Sequence, residues 1–513
     1  MERFFTLDEF QEVVDSVLKD TSLTYEQQTY RLAKLAENVL PYPVADEDPF
    51  FELYDTGEIC DLDEGHAPYA PRYILPDYAK FLTEGSEFLR LDPPKDLLEA
   101  LSSLLILYRH VPSVTRFPVY IGSLDTLLEP FVESEDPEMA RKLIRWFLIQ
   151  IDRTVNDSFC HGNIGPEETV TGNIILDEIS ELQNATPNLT LLYEEGVTPD
   201  TFAEKAVLAS LNCANPAFAN HKMYREEFGD APYGIASCYN ALPQHGGAFT
   251  LSRVRLNKVA EQSESVEHFF NERLPFVIDT LTHFMEAKID YLVDETAFFN
   301  EKNFLVGEDL VDIDNFVGLF GIVGLHECVQ ELLAKDEREG LFGTDDVANE
   351  LGVRVMDAVE ERVADFKSKY SPINDHRFML HAQVGAANDE GTTAAHRIQI
   401  GKEPDLYTHL RQSALFQPYF PSGVGDHYPF DETAKRNPKA VLDIFKGAFQ
   451  LDNRYVSAYN DDGDLIRVTG YLVKKSDVEA FREGKQVSYD TVQYAQDPLG
   501  DYGILKRQVE GVK

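Results

Sequence analysis

The segment Ile466-Arg467-Val468-Thr469-Gly470-Tyr471-Leu472 is a short apolar run that contains one glycine, and 43 residues follow this glycine in the sequence. Polar residues flank it on both sides, at 460–464 and at 474–477. An apolar run between polar segments predicts a short strand or a buried turn. Glycine at such a place supplies positive φ or lets another backbone come close. We therefore expect Gly470 to lie in a buried turn.

A second distinctive stretch, residues 233–243, is an apolar strand that leads into Cys238 and then a turn. Residues 246–251 follow as another extended element, which two glycines open. A cysteine at the end of a buried strand is often an inert core residue, whereas a cysteine in a suitable microenvironment can react. The stretch by itself is compatible with both interpretations.

Four further segments have clear local patterns. Residues 116–131 predict a strand, a glycine turn and a short helix that proline ends, and residues 186–191 predict a strand. Residues 215–220 predict a loop that follows a helix at 201–210. Residues 316–327 predict a buried strand that turns into a helix, with glycines that allow close packing.

In their order along the chain, from residue 116 to residue 472, the six segments resemble the motifs of the glycyl radical enzyme superfamily. The chain is most similar to YjjI-type glycyl radical enzymes, which are related to anaerobic ribonucleotide reductase and pyruvate formate-lyase. The resemblance implies an α/β fold, a ten-stranded barrel of two half-sheets surrounded by helices, with a C-terminal glycyl radical loop. It also implies a wrapping N-terminal region at 1–110, a catalytic barrel with the cysteine loop at 111–435, and a glycyl radical domain at 436–513.

The activity that the resemblance implies is radical transfer. Gly470 would hold a backbone radical, because a Cα without a side chain can flatten between an amide nitrogen and a carbonyl. The radical would take hydrogen from the Cys238 thiol, and the thiyl radical would abstract hydrogen from a small polar substrate. Such an enzyme is oxygen-sensitive and belongs to anaerobic metabolism.

The same resemblance implies the cofactors and partners. No cofactor would be bound in turnover, because the glycyl radical is a post-translational modification that a separate 4Fe-4S enzyme installs with S-adenosylmethionine. The expected partners are this radical SAM activating enzyme and a small-molecule substrate, and the candidate assembly is a homodimer.

Candidate substrate-binding residues are polar side chains expected around Cys238, since ligand sites combine apolar walls with a few convergent polar groups. They are Asn188, Tyr233, Asn240, His245, His381 and His427. Two positions depart from characterised branches of the superfamily. Residue 237 is Ser, so the cysteine pair of pyruvate formate-lyase is missing, and residue 240 is Asn where diol dehydratases carry Glu. Because asparagine is not a general base at neutral pH, the dehydratase type of elimination is not implied.

Composition narrows the function classes. The chain has 89 acidic and 46 basic residues and a formal net charge of −43, which disfavours binding to nucleic acid or to an anionic membrane. The five cysteines include no C-x-x-C pair, and the first residues lack a secretion signal, so we expect a cytoplasmic protein without disulfides, zinc or iron–sulfur clusters. The histidines lack the carboxylates and helical spacing of a metal site.

Two alternatives remain open from the sequence. Residues 318–327 are similar to an element of anaerobic ribonucleotide reductases, which favours a nucleotide- or ribose-directed reductase. A degenerate barrel used only for binding is the other alternative, although such a protein would have no reason to keep both Cys238 and Gly470. We also expect Gly470→Ala to fold nearly normally if φ at this residue is negative.

Overall fold

Parallel strands alternate with helices through the middle of the chain. The computed structural model describes residues 7–37, 40–61, 68–114, 116–157, 159–382, 392–398, 402–460, 463–467 and 470–492. Val468 and Thr469 of the glycine segment lie outside the described residues.

The strands within these ranges are β1 (Ile59–Asp61), β2 (Tyr73–Leu75), β3 (Tyr120–Ser123), β4 (His161–Ile164), β5 (Asn188–Tyr193), β6 (Ala217–Asn220), β7 (Tyr233–Ala236), β8 (Asn240–Pro243), β9 (Gly246–Arg255), β10 (Phe316–Val323), β11 (Met379–His381), β12 (Asp426–Pro429), β13 (Tyr455–Tyr459), β14 (Leu465–Arg467) and β15 (Leu472–Lys474). The helices are α1 (Leu7–Lys19), α2 (Tyr25–Glu37), α3 (Pro49–Asp55), α4 (Tyr78–Glu84), α5 (Leu97–Tyr108), α6 (Leu124–Val132), α7 (Pro137–Thr154), α8 (Val170–Leu182), α9 (Asp200–Cys213), α10 (His221–Phe228), α11 (Leu256–Gln262), α12 (Val266–His268), α13 (Leu274–Asp294), α14 (Phe304–Gly307), α15 (Leu325–Lys335), α16 (Asp346–Asp365), α17 (Leu406–Phe416), α18 (Pro438–Gln450) and α19 (Lys475–Arg482).

The first sheet has six strands in the order β12-β13-β6-β5-β4-β3. Strands β3 to β6 are parallel, and helices connect them, because a parallel pair needs a crossover. Strand β13 pairs antiparallel with β6 and parallel with β12, so the C-terminal part of the chain completes this sheet.

The second sheet has five strands. Its path is β1-β9-β10-β11, and β2 also pairs with β9. The long strands β9 and β10 are parallel and are buried almost throughout, which explains the continuous apolar sequence of β10. The structure thus has the predicted α/β architecture of two half-sheets with surrounding helices.

Two hairpins stand apart from these sheets. Strands β7 and β8 form one antiparallel pair, and β14 and β15 form the other. The first hairpin carries Cys238 in its turn, and the second carries Gly470 in its turn.

The N-terminal region contributes two strands to the second sheet. Both β1 and β2 pair antiparallel with β9. The sequence pattern missed these strands because each has three residues, too few to show periodicity.

A clasp formed by α2 and residues 486–492 joins the two ends of the described chain. Gln27 Nε2 donates to the carbonyl oxygen of Val487 at 3.0 Å, and Gln486 Nε2 donates to that of Leu23 at 2.8 Å. The hydroxyl of Tyr489 donates to Asp152 of α7 at 2.6 Å. The segment after α19 is therefore held at a fixed place beside the sheet.

Candidate active site

Cys238 lies in the turn of the β7–β8 hairpin and is 1% exposed. Ala236 and Asn240 are the last paired residues before this turn, and Ser237 has a positive φ of 59°. The hairpin tip is fixed by its surroundings. The backbone of Gly423 lies so close to Tyr239 that a methyl group on Gly423 would be 1.8 Å from the Tyr239 carbonyl oxygen.

Gly470 lies against Cys238. A methyl group built on its Cα would be 2.1 Å from Cys238 Cβ and 2.5 Å from Cys238 Cα. Since non-bonded carbon atoms normally stay about 3.5–4 Å apart, only glycine fits here. The hydrogen that occupies the side-chain position of Gly470 therefore points toward Cys238. The structure brings together two residues that stand far apart in the sequence.

The carbonyl oxygen of Gly470 has two nitrogen neighbours. Arg467 Nη1 donates to it at 3.0 Å, and His161 Nε2 lies 3.1 Å from it. Arg467 Nη2 also donates to the carbonyl oxygen of Ala214 at 2.6 Å. Arg467 thus links the glycine turn to the loop before β6.

Arg467 is a buried cation that is held by carbonyl oxygens rather than by a carboxylate. Its side chain is 5% exposed, and burial lowers the pKa of its guanidinium. The hydroxyls and thiols around it oppose this shift, among them Tyr455, Cys238 and Cys213. Desolvated cations are costly, so an arginine kept here without an acidic partner among the described residues indicates a function for its position.

His161 is neutral at ordinary pH. Burial lowers its pKa to about 3, and the nearby charge of Arg467 lowers it further, against the opposing effect of the Phe159 carbonyl. Its two ring nitrogens lie 3.0 Å from the carbonyl oxygen of Phe159 and 3.1 Å from that of Gly470. A neutral imidazole has one N–H, so His161 donates to one of these carbonyls at a time. Arg467 donates to the Gly470 carbonyl in either tautomer of His161.

Aromatic side chains surround the cysteine turn. The Tyr455 hydroxyl donates to the carbonyl oxygen of Cys238 at 3.4 Å, and its ring lies 5.8 Å from that of Tyr239. Tyr471, the neighbour of Gly470, packs against Phe159 with 5.0 Å between the ring centroids. Both turns are therefore enclosed by rings and largely separated from water.

Three of the predicted substrate-binding residues lie close to this centre. Asn240 is fully buried beside the turn, where its Nδ2 donates to the Ala236 carbonyl at 3.0 Å. His381 is buried with its ring 5.9 Å from that of Tyr239. Asn188 begins β5 directly opposite His161 of β4.

The other three predicted residues have different surroundings. Tyr233 pairs with Pro243 at the end of the hairpin away from Cys238, and its hydroxyl bonds to His221 Nδ1 at 2.6 Å. His245 is partly exposed, and its Nε2 bonds to Asp309 at 2.9 Å. His427 is buried on β12, where its Nδ1 bonds to the Ser457 hydroxyl.

A buried polar cluster adjoins His427. Asp426 accepts bonds from His409 Nε2 at 2.8 Å, from the Ser413 hydroxyl at 3.0 Å and from the backbone N–H of His427 at 2.8 Å. Burial opposes ionisation of Asp426, but His409 and other nearby positive groups hold its pKa well below the usual range. The cluster therefore contains a carboxylate whose oxygens are already occupied.

Sequence reasoning missed several residues of the site. No role was assigned to His161, and Arg467 was noted only as part of the glycine segment. Arg397 was not considered, although its guanidinium lies 5.4 Å from the ring centroid of Tyr239. Of these three residues, only Arg467 could have been recognised from the sequence, because it precedes Gly470 by three positions. His161 and Arg397 are distant in sequence from both Cys238 and Gly470.

The described residues contain neither a membrane-spanning helix nor a cluster of metal ligands. Among the described residues, no helix combines the length and apolar character needed to cross a membrane. Within the same residues, no group of three or more His, Cys, Asp and Glu side chains is arranged to hold a metal ion. The five cysteines are buried, and none of them forms a disulfide.

Comparisons with known proteins agree with this geometry. The family model for YjjI-like glycyl radical enzymes matches residues 23–510. An uncharacterized protein of Haemophilus influenzae is 44% identical over 519 residues, with 99% of both chains covered. The YjjI protein of Escherichia coli, also described as uncharacterized, is 41% identical over 499 residues, with coverage of 97% of this chain and 96% of that protein.

A solved structure shows the same fold at low identity. The glycerol-bound B12-independent glycerol dehydratase of Clostridium butyricum superposes with a TM-score of 0.67 and 11% identity, over 98% of this chain and 88% of that one. At this identity the likeness concerns the fold, whereas the family match covers nearly the whole sequence. The chain belongs to the YjjI-like family of glycyl radical enzymes.

Proposed function

We propose that Gly470 stores the radical of this enzyme and that Cys238 relays it to a small polar substrate. The observation that carries the proposal is the contact between the two residues, with a Cα hydrogen of Gly470 directed at Cys238. Hydrogen transfer requires such near contact, and a fixed geometry provides most of the advantage over an encounter in solution. A barrel used only for binding would have no need of this contact.

The relay conserves hydrogen atoms. The Gly470 radical takes the hydrogen atom of the Cys238 thiol, which restores the glycine and leaves a thiyl radical. The thiyl radical takes a hydrogen atom from a substrate C–H bond, which restores the thiol and leaves a substrate radical. After rearrangement, the product radical takes the hydrogen back from Cys238, and the radical returns to Gly470.

Burial fits this chemistry. Cys238 is 1% exposed, and the aromatic rings of Tyr239, Tyr455 and Tyr471 surround the two turns. Exclusion of water and of other reactants prevents side reactions of a reactive intermediate. Arg467 fixes the Gly470 carbonyl, through which the unpaired electron is delocalised, and so holds the glycine in place.

The proposal includes a partner and a location. A separate 4Fe-4S enzyme that reduces S-adenosylmethionine by one electron would generate the radical that removes hydrogen from Gly470. The β14–β15 hairpin must then leave the core to meet this partner. Five cysteines without a disulfide suit a reducing compartment, which we propose is the cytoplasm.

The test begins with activation in the absence of oxygen. We expect an electron paramagnetic resonance signal from one glycyl radical, and cleavage of the chain when air is admitted. Oxygen adds at the radical Cα, so the fragments should be a large piece that ends near Thr469 and a tail close to the 44 residues of 470–513. A radical on another residue, or an activated chain that stays intact at Gly470, would overturn the assignment.

The role of Cys238 needs a second measurement. Cys238→Ala should still acquire the radical but should consume no metabolite from an anaerobic extract that the wild-type enzyme consumes. Cys213→Ala is the matched control, because Cys213 is also buried near Arg467 but bonds to the Ala209 and Asn215 carbonyls. Equal consumption by Cys238→Ala and wild type would exclude Cys238 from the relay.

A further inference from the structure

Arg397 is positioned next to the cysteine turn. Its guanidinium lies 5.4 Å from the ring centroid of Tyr239, which directly follows Cys238. Its Nε donates to the carbonyl oxygen of Gly425 at 2.6 Å. The Gly423–Gly425 segment in turn packs on Tyr239 and Tyr455. The side chain is thus fixed against the elements that hold Cys238.

One donor of this guanidinium is unused. The Nη2 atom is inaccessible to solvent and has no hydrogen-bond partner among the described residues. A buried donor without an acceptor costs about 1–3 kcal/mol, and more when the group is charged. Such a donor next to a candidate reactive cysteine suggests that a ligand supplies the missing acceptor.

The nearest carboxylate does not satisfy Arg397. Asp426 lies close enough for Arg397 to lower its pKa, but its oxygens accept bonds from His409, Ser413 and the His427 backbone. No ion pair links Arg397 to a carboxylate within the part of the chain that the structure describes. His396, the adjacent residue, is neutral because burial lowers its pKa to about 3.

The local charge contrasts with that of the whole protein. Arg397 lies close enough to Arg467 to lower the pKa of the Arg467 guanidinium, and Asp426 is the carboxylate whose pKa Arg397 lowers. A chain with a net charge of −43 therefore has two guanidinium groups beside its reactive centre. This arrangement would attract an anion past a surface that repels it elsewhere.

We propose that Arg397 binds an anionic group of the substrate, a carboxylate or a phosphate. The guanidinium presents parallel N–H donors that match the oxygens of either group. The anion would lie over the Tyr239 side of the cysteine turn, which leaves the rest of the substrate to reach Cys238. This inference rests on the proposed function of Cys238 and adds the charge of the substrate to it.

The contact with the Tyr239 ring does not by itself explain why Arg397 has a buried donor. Arg411 also lies over a tyrosine ring, 5.7 Å from the centroid of Tyr407, but it is exposed on α17, where water satisfies its donors. Arg397 makes the same type of contact in a place where water does not reach Nη2. The two arginines therefore form a matched pair for an experiment.

The experiment measures anion binding to the protein before activation, so it does not depend on a radical. Titration calorimetry at constant ionic strength compares glycolate with glycolamide, acetate with acetamide, and inorganic phosphate. We expect at least one anion to bind wild-type protein, with a carboxylate about 10-fold or more tighter than its neutral amide. Arg397→Gln should remove this preference, Arg397→Lys should keep part of it, and Arg411→Gln should leave it unchanged.

Each outcome has a defined meaning. Binding of phosphate that depends on Arg397, without carboxylate binding, identifies a phosphate ester, and the reverse result identifies a carboxylic acid. Wild-type protein that binds no anion better than the amides overturns the proposal, even if Arg397→Gln does not fold. Equal anion binding by Arg397→Gln and wild type overturns it as well. Absence of a Gly470 radical would refute the relay but would not change these affinities.

Discussion

Arg467 Nη1 lies 3.0 Å from the carbonyl oxygen of Gly470, three residues further along the same hairpin. The same guanidinium also bonds to the Ala214 carbonyl, which belongs to another part of the fold. The Gly470 bond therefore lies within the hairpin, whereas the Ala214 bond attaches the hairpin to the core. If the hairpin leaves the core, the Ala214 bond must break, whereas the Gly470 bond can persist.

Arg467→Gln should loosen the glycine hairpin without unfolding the protein. A hydrogen bond to a charged group contributes about 1.5–3 kcal/mol, so amide hydrogen exchange at residues 470–474 should be about 10-fold or more faster. Arg482→Gln, on the exposed surface of α19, serves as the control and should leave exchange unchanged. Equal exchange in Arg467→Gln and wild type would show that the guanidinium does not hold the hairpin.

Gly470→Ala should displace the hairpin, in contrast to the expectation from sequence. The φ of Gly470 lies outside the left-handed region, so backbone conformation does not forbid alanine. The new methyl group would instead lie 2.5 Å from Cys238 Cα and 2.8 Å from its carbonyl carbon. Backbone atoms cannot yield as a side chain does, so we expect the closed hairpin to be destabilised by about 1–3 kcal/mol or more.

Hydrogen exchange again provides the measurement. Amides at 470–474 should lose protection in Gly470→Ala, while the rest of the barrel keeps it. Gly463→Ala is the control, because a methyl group there has no neighbour nearer than 3.7 Å. Full protection of the hairpin in Gly470→Ala would mean that Gly470 and Cys238 are further apart than described.

Asn240→Asp should destabilise the cysteine hairpin. Asn240 is fully buried, and its amide donates to the Ala236 carbonyl. A carboxylate would place a charged oxygen against that carbonyl, at a cost of about 2–4 kcal/mol in unfolding free energy. Urea unfolding measures this loss, which should be larger at pH 8 than at pH 5, where a protonated carboxyl could donate. Asn437→Asp, at the N-cap of α18, should be neutral or stabilising, and equal effects of the two variants would contradict this account.

Acid should destabilise the protein below about pH 6.5 because buried histidines are neutral in the fold. Burial lowers the pKa of His161 and His396 to about 3 and that of His326 to about 4. Between these values and 6.5 the unfolded chain binds more protons, so stability falls as pH falls, by about 1.4 kcal/mol per pH unit for each histidine. Burial raises the pKa of Asp125 to about 6, and this carboxyl partly offsets the loss of stability in acid.

The check is urea unfolding across pH 4 to 7. The unfolding free energy of His396→Gln should fall less steeply with decreasing pH than that of wild type. The difference in slope should correspond to at most one proton. A variant with the same slope as wild type would mean that His396 is not neutral in the folded protein.

The sequence predicted the parts of the fold whose local patterns are long. The strand that turns into a helix at 316–327 and the strand, turn and helix at 116–131 follow from apolar runs and glycine turns, and the structure confirms them. The loop predicted at 215–220 is wrong in part, because residues 217–220 form strand β6, which is too short to show a pattern. The family was also predicted correctly, because six short motifs in order are far more specific than one. Short strands such as β1 and β2 contain too few residues to produce a pattern.

The candidate site was only partly predictable. Motifs indicated Cys238 and Gly470, and the structure places them in contact. The substrate-binding candidates were chosen as polar residues near motifs, a rule that cannot tell the two ends of a hairpin apart. Tyr233 lies at the far end of the hairpin for this reason. His161 and Arg397 reach the site through tertiary packing, which a single sequence does not record.

The clasp between α2 and residues 486–492 limits how far Gly470 can travel. Strand β13 ends at Tyr459, and the clasp begins at Gln486, so the movable piece has a fixed point on each side. Gly470 is eleven positions after Tyr459, and an extended chain covers about 3.3 Å per residue, so these two residues can be at most roughly 36 Å apart. If the β14–β15 hairpin leaves the core, β13 and the clasp therefore keep Gly470 within this distance of Tyr459 while both ends of the described chain stay attached.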